Sequence, residues 1–543
     1  MTLAQSIIAR AGQMKADRST VESTARNCFE VTYPERMEGL GESGTDTQRV
    51  ERKRLELLDN TATDATRILA SGVMSGMTPA NARWLDFDVT DETDEERRWL
   101  DHAAQEVWQA IHGSNYDSQK YEAIIDSLCA GWFVLFIDED QASGRPVFFQ
   151  FPLGQCYLAA SKLGGRVDTL YRCFTMTAEQ AFNEYGDSCS QKIKDDAADP
   201  EKSGAKHEFI HAIYPRTKYA PGSKMAKNLP FASVHVEVGE KNVVRESGYH
   251  EQPFVCPRWM VVPGSQYAAG LVLNALGTIR ELNELLRLEK VALGRAAAGV
   301  YVAEDDGVLN PRNVRVRGGS VIVANSINSI KELPTGADFN VTFSKADQMR
   351  GEIRRLLLAD QLQPQDGPAM TATEVHVRVA LIRQLLGPLY GRFQSEDLQP
   401  TIERVFGMMY RRGRPELGGM PGDVLIDDAP ETLADVPYSI RYLSPLARAQ
   451  KMDEVSAINN TIMMAQTLAA AGMTEALDLI DPEQAVRVGS DALGTPAKIL
   501  RDEKQLAVYR KARAEQQQAQ DQAAQQQQLQ TMAVDASLKR VAA

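Results

Sequence analysis

The sequence predicts an α+β chain, mainly helical, with a β-rich insertion and one helix hairpin that carries a small head. Three observations predict it. Apolar residues recur at three- and four-residue steps over residues 1–130 and again from 446 onward. The period changes to two at Trp132 and stays short over 131–260. Two helices of similar length, near Ala275–Arg295 and Ser344–Asp360, flank a compact segment with a Gly-Gly turn.

In chain order, Leu3, Ile7, Ile8 and Met14 open a first amphipathic helix. A longer helix is expected from Asp46 to Gly76, carrying Leu55, Leu58, Ala65, Ile68 and Leu69, and stopping at Met77-Thr78-Pro79. Asp94 starts another, with Leu100, Ala103, Val107 and Ile111 spaced to face a core, and Tyr121, Ile124, Ile125 and Leu128 continue the pattern. Trp132–Ile137 and Val147–Phe149, separated by polar residues and Gly144, read as a β-hairpin. Further strands are expected at Thr169–Phe174, Glu208–Tyr214, Ser233–Val238 and Val243–Ser247, and an exposed loop over Asp187–Lys206.

In the hairpin, Leu276, Ile279, Leu282, Leu286 and Leu293 mark one helix, and Ser344-Lys345-Ala346-Asp347 has the form of a capping box at the start of its partner. A long helix opens at a second capping box, Thr371-Ala372-Thr373-Glu374, and is broken at Pro388 and Pro400, where a missing N–H and a ring clash kink it. Short alternating segments over Asp423–Tyr442 read as strands returning to the β region. Val455, Ile458, Ile462, Ala465 and Ala469 give a helix closed by Gly472, and Asp481-Pro482 and Thr495-Pro496 each set an N-cap before a proline. The Gln/Ala-rich tail over 511–530 suits a solvated helix or a disordered segment equally.

A net charge of −13 and a pI of about 5.3 are the wrong sign for a protein that grips nucleic acid along its whole surface, though not for one that lets DNA slide past. The cysteines Cys28, Cys129, Cys156, Cys173, Cys189 and Cys256 are scattered without a C-x-x-C pair and read as free thiols in a reducing compartment. The most apolar stretch, Leu128–Ile137, is about half a membrane span, which points to a soluble protein assembled in a cytoplasm.

Residues 207–211 spell H-E-x-x-H, which on a helix would let His207 and His211 share a zinc ion with Glu208 as base. The alternation of Phe209, His211 and Ile213 argues for a strand instead, where the two histidines would stand roughly 13 Å apart. Zinc hydrolysis is the minor alternative. Gly39–Thr45 lacks the lysine of a phosphate loop, and no G-x-S-x-G elbow occurs. No catalytic, metal or cofactor site is assigned. Over Val314–Val323, two short strands about Gly318-Gly319 would put Arg315 and Arg317 on one face, beside Arg312, as a docking head or a solvated face. Lys290, Arg295, Arg350, Arg354 and Arg355 could face DNA phosphates, or pair with Glu281, Glu284, Glu289 and Glu352. Residues 361–370 form a polar loop with two prolines that could line a constriction or simply connect.

Several stretches together resemble the head-to-tail connecting (portal) proteins of short-tailed, T7-like podovirus phages. They are Met370–Val375, Leu385–Arg392 and Tyr442–Gln450, supported by Leu69–Pro79 with Trp84 and by His211–Arg216. Gly264-Ser265-Gln266-Tyr267-Ala268-Ala269-Gly270 departs from the family's usual Gly-Ser-x-Tyr-Gly-Arg-Gly and lacks its arginine. The resemblance implies a dodecameric ring around a double-stranded DNA channel at one capsid vertex of the virion, used for packaging and ejection. Residues 271–295 and 344–360 would be the stem, with Lys290, Arg295, Arg350, Arg354 and Arg355 toward DNA. The clip, 296–343, would dock the large terminase subunit and later tail adaptor proteins through Arg312, Arg315 and Arg317. The tunnel loop, 361–370, would present Gln361, Gln363, Gln365, Asp366 and Met370. Residues 1–270 (helical 1–130, β-rich 131–260) would form the wing, joined by the broken helix and strands of 371–445, and 446–543 the crown with its Gln-rich tail. Major capsid and scaffolding proteins are implied as further partners. Neither a membrane, a cofactor nor ATP hydrolysis by the chain itself is implied. Another ring-forming tail adaptor is the second alternative.

Overall fold

The computed structural model describes residues 2–37, 40, 47–89, 93–220, 225–298, 301–303, 330–332, 339–362, 387, 389–433, 439–442, 445–470, 479–493, 506, 508–513 and 516. These fall in two compact units, Met1–Ala82 with Val107–Ile426 and Arg83–Glu106 with Asp427–Ala543. Among the described residues no helix is long and apolar enough to cross a membrane.

Helix α1 (Leu3–Glu30) opens with a capping box between Thr2 and Gln5. The helix expected over Asp46–Gly76 is two helices, α2 (Thr47–Glu56) and α3 (Thr61–Met77). The break at residues 57–60 is held by side-chain acceptors that compete with the helical backbone: Asp59 Oδ1 takes the Thr61 N–H at 2.8 Å, and Asn283 Oδ1 takes that of Leu58 at 2.9 Å. A strand absent from the sequence reading, β1 (Leu85–Asp88), follows, then α4 (Asp94–His112) and α5 (Tyr116–Ala130). Gly131, at φ 95°, ends α5, and its missing side chain lets Ala268 and Ala269 approach where a Cβ would clash at 2.4 Å.

The expected hairpin is β2 (Leu135–Glu139) with β3 (Pro146–Gln150), in register Ile137↔Phe148. Strands β4 (Cys156–Ala159) and β5 (Thr169–Thr177) lead to two short helices, α6 (Ala178–Tyr185) and α7 (Gln191–Ala198). The loop expected over Asp187–Lys206 is therefore partly helix, and it buries Cys189 and Ile193. Only those two apolar residues dock, too few to show as a period, and the Ser190 cap on Ile193 N sets the start. Strands β6 (Lys206–Pro215), β7 (Phe231–Glu237) and β8 (Asn242–Tyr249) complete an antiparallel sheet of order β4-β5-β6-β7-β8. On one face α1 buries Ala4, Ile7, Ala11 and Met14 against Tyr157, Tyr171, Ile210 and Val234. On the other, α6 and α7 bury Ala181, Tyr185 and Ile193 against Phe209 and Val244. All six cysteines are free thiols, five of them buried.

Strand β9 (Phe254–Val255) adds to β2, and β10 (Met260–Val261) pairs with β11 (Ala268–Ala269). Helix α8 (Val272–Ala298) follows, then β12 (Tyr301–Ala303) and β13 (Ile330–Glu332), paired antiparallel, and α9 (Phe339–Leu356). Helix α9 begins five residues before the expected capping box at Ser344, which lies inside it. It ends at Leu356 rather than running to Asp360: Leu358 takes φ 57°, and a short α10 (Ala359–Leu362) resumes. The capping box over 371–374 lies outside the described residues. At Pro400 the expected interruption takes the form of a π-helical turn over Gln394–Leu398, with Gln399 N–H on Gln394 O, before the helix Gln399–Arg411. The wide turn absorbs a proline that a regular helix would clash with.

In the second unit, β14 (Ser439–Tyr442) pairs with β1, Leu85 opposite Tyr442, and Arg441 reaches Asp86 at 2.8 Å. This corrects the expected return of Asp423–Tyr442 to the main β region. Alternation identified the strand but not its partner, and residues 424–426 form no strand. The helices Pro445–Ala470 and Pro482–Leu493 stand where expected, the second with Asp481 Oδ1 on Gln484 N at 3.2 Å. Gly472, Thr495-Pro496 and most of the Gln-rich tail lie outside the described residues.

Candidate functional site

The hairpin α8–α9 is the candidate. Its seam is apolar because Ala275, Ile279 and Leu282 of α8 and Ala346, Met349 and Ile353 of α9 repeat at three and four residues, and all six are buried. At 27 residues, α8 extends about 40 Å at 1.5 Å per residue. Beyond its C-terminal end, β12 pairs with β13, Tyr301 opposite Glu332. This strand pair was not anticipated: three residues a side give no readable period. Arg312, Arg315 and Arg317, and the strands expected about Gly318-Gly319, lie outside the described residues.

The root of the hairpin is wedged against α1, α3 and α5. Arg350 fixes it there: its Nε donates to Asp59 Oδ2 and its Nη1 to Asp347 Oδ1, both at 2.8 Å. Burial alone would raise the Asp59 carboxyl, but hydrogen bonds from Thr61 and Arg350 outweigh it and hold the group below its ordinary value. Lys290, Arg295, Arg354 and Arg355 are exposed, and among the described residues they make no ion pair. So the five cations proposed for one surface divide: one is a structural clamp and four face outward. Of the acidic neighbours, Glu284 pairs with Arg287 at 2.7 Å, whereas Glu289 is buried in the stripe with no hydrogen bond at Oε2.

Leu288, Val291 and Leu293 on α8, and Val341 and Phe343 on α9, are large apolar residues left exposed. A cleft of about 420 Å³ beside α8 is lined by Lys53, Arg280, Arg287 and Lys290 among Glu30 and Glu56. With both signs present, it does not select an anion such as phosphate. Gln361 falls in α10, and Gln363, Gln365, Asp366 and Met370 lie outside the described residues.

The histidines of the H-E-x-x-H stretch lie on β6, opposite Met176 and Arg172 of β5. His211 Nε2 is 2.9 Å from Ser233 Oγ, its ring stacks on His235 at 3.9 Å, and His207 lies 3.1 Å from Asp196. No group of three or more metal-ligating side chains forms among the described residues.

A family described as bacteriophage head to tail connecting protein matches residues 4–500 of the chain. The chain belongs to that family. Among curated connecting-protein relatives, it is 26% identical to a probable portal protein of Bordetella phage BPP-1, over 95% of this chain and 92% of that protein. It is also 26% identical to the portal protein of Salmonella phage epsilon15, over 94% of this chain and 91% of that one. Among solved structures, a chain from the neck of an empty gene transfer agent particle aligns over 82% of this chain and 94% of its own, at 12% identity and a TM-score of 0.34.

Proposed function

We propose that copies of this chain close into a dodecameric ring at one vertex of a phage head, with a central channel through which double-stranded DNA enters on packaging and leaves on ejection. The observation that carries this reading is the family match across residues 4–500, at near-complete coverage of two phage portal proteins. Three physical features support it. A hairpin with exposed apolar residues on both helices suits packing against neighbouring copies, since such residues rarely cluster unpartnered. The helix Pro445–Ala470 likewise exposes Met463, Met464 and Leu468 while burying Ala465. A net charge of −13 suits a bore that lets a polyanion slide.

In this reading α8 and α9 are the stem, with Lys290, Arg295, Arg354 and Arg355 as the outward cations toward DNA or the adjacent subunit. The segment 296–343 is the clip, which docks the large terminase subunit and then tail adaptor proteins, and 361–370 is the tunnel loop. Residues 1–270 with 371–445 form the wing, and 446–543 the crown. Major capsid and scaffolding proteins are further partners of the ring. A heterologous contact repeated around a closed ring leaves no open interface.

Native mass spectrometry of the purified chain, with end-on averaging of electron micrographs, tests this. A single closed ring of about a dozen copies with a central hole is the expected result. A stable monomer or dimer at micromolar concentration overturns it.

A further inference from the structure

Lys120 of α5 and Asp397 of the π-helical turn lie 277 residues apart in sequence and touch, Nζ on Oδ2. Lys120 is 2% exposed and Asp397 not at all. Their surroundings are aromatic: the Phe133 ring centre is 4.8 Å from Nζ and that of Tyr116 5.9 Å. As an ion pair this arrangement is poor. Two desolvated charges are repaid only when every remaining lone pair is satisfied, yet Asp397 Oδ1 has no hydrogen bond. Two buried hydroxyls on the same two segments are also unsatisfied. Thr401 stands one helical turn after Asp397 and Tyr116 one turn before Lys120, and neither hydroxyl has a hydrogen bond of ordinary geometry.

We propose that Lys120 and Asp397 are joined by an isopeptide bond that the folded protein forms by itself. The reaction needs a neutral amine and a neutral carboxylic acid, and burial drives both groups that way: it lowers the lysine and raises the aspartate from their ordinary values, against their mutual attraction. A proton passes from the ammonium to the carboxylate within the pair. The free Nζ lone pair then attacks Cγ, and the N–C bond forms. The C–OH bond breaks, and the hydroxyl departs with one amine proton as water. Atoms and charge balance, and nothing is oxidised or reduced. Both groups are buried, so the step takes place out of contact with bulk water. The product is a neutral amide, which leaves no buried charge at the site. It ties α5 to the long helix that follows the π-helical turn.

The test is the mass of the full-length wild-type chain under denaturing conditions, followed by a tryptic digest read by tandem spectrometry. The expected mass is that of the sequence less one water, with a branched peptide containing both residues and no cleavage after Lys120. Asp397→Asn is expected to lose ammonia instead of water, and Lys120→Met to lose neither. A wild-type chain of full sequence mass that yields free peptides ending at Lys120 overturns the proposal and leaves an ordinary buried ion pair. Since the wild type alone decides, a variant that fails to fold does not obscure the answer.

Discussion

Asp59→Asn isolates the clamp at the root of the hairpin. The asparagine keeps the shape and can still accept from Thr61 N, but it removes the charge that holds Arg350. The Asp59 side chain is 9% exposed and that of Arg350 32%, and Arg350 keeps Asp347 after the change. An exposed pair is worth roughly 0.2–1 kcal/mol, and breaking a buried one costs about 3–5 kcal/mol. A half-sheltered clamp with one partner retained falls between them, at about 1–2 kcal/mol of local stability. Amide hydrogen exchange along α9 reads this directly, with exchange faster by roughly 5–30-fold. The sheet β4–β8 should be unchanged. The Asp59 carboxyl sits below its ordinary value when folded, so its contribution is complete above about pH 3.9 and is lost as pH falls through the folded value. The difference between wild type and variant should therefore shrink in strong acid. Unaltered exchange in α9, or an equal change in α9 and in the sheet, would refute the assignment of Arg350 as a local anchor.

Glu251 takes Arg411 Nη2 at 2.7 Å and Arg404 Nη1 at 3.2 Å, and Arg404 is 5% exposed, so Glu251→Ala strands a buried guanidinium. The expected loss is about 3–4 kcal/mol, read as exchange roughly a hundredfold to a thousandfold faster in the helix Gln399–Arg411. His211 and His235 are held neutral by burial and by Arg172 and Arg245, His235 being pushed down to about 3. Their folded values lie below the unfolded one, so stability falls as pH drops from about 6.5, the unfolded value, toward 3. His235→Gln should flatten that slope in an acid titration of unfolding, and an unchanged slope counts against the pair. Reversing the outward cations, Arg354→Glu with Arg355→Glu, should reduce ring formation or DNA packaging. Normal rings that retain DNA normally would remove both residues from the functional surface.

Elements with a long enough period could be read in advance. The stripe Leu276, Ile279, Leu282 predicts α8 because a helix seam favours that spacing, although Ala275 is buried in the seam where Leu276 is not and Leu293 is exposed. Val147–Phe149 opposite Ile137 predicts β3 because a half-buried hairpin favours alternation. What failed had too few residues to set a period: β1, β12 and β13, or the two apolar residues that dock α7. Boundaries failed where a side chain competes with the backbone, as Asp59 does between α2 and α3. At the candidate site, the exposure of Lys290, Arg295, Arg354 and Arg355 was legible as charge on a helix face. The fate of Arg350 was not, because one of its two partners, Asp59, lies 291 residues away, while the sequence offered Glu281, Glu284, Glu289 and Glu352 as nearer candidates.

That separation recurs. Arg258 grips Glu396 across 138 residues, and Lys120 meets Asp397 across 277, so adjacent positions of one π-helical turn are held by basic residues from two different parts of the fold. Neither contact can form until its distant segments are already in place, so these pairs cannot nucleate folding and act late. Their value lies in register. Sliding the helix by one residue, before any bond between Lys120 and Asp397 has formed, would take Glu396 and Asp397 off their partners at once and leave buried polar groups unmatched. A helix that must absorb Pro400 has alternative registers within reach, and two clamps on consecutive residues choose among them. The root of α9 is fixed on the same principle by Arg350 and Asp59. Apolar seams therefore supply the bulk of the cohesion in this chain, and sparse long-range contacts between basic and acidic side chains decide which of several well-packed registers is occupied.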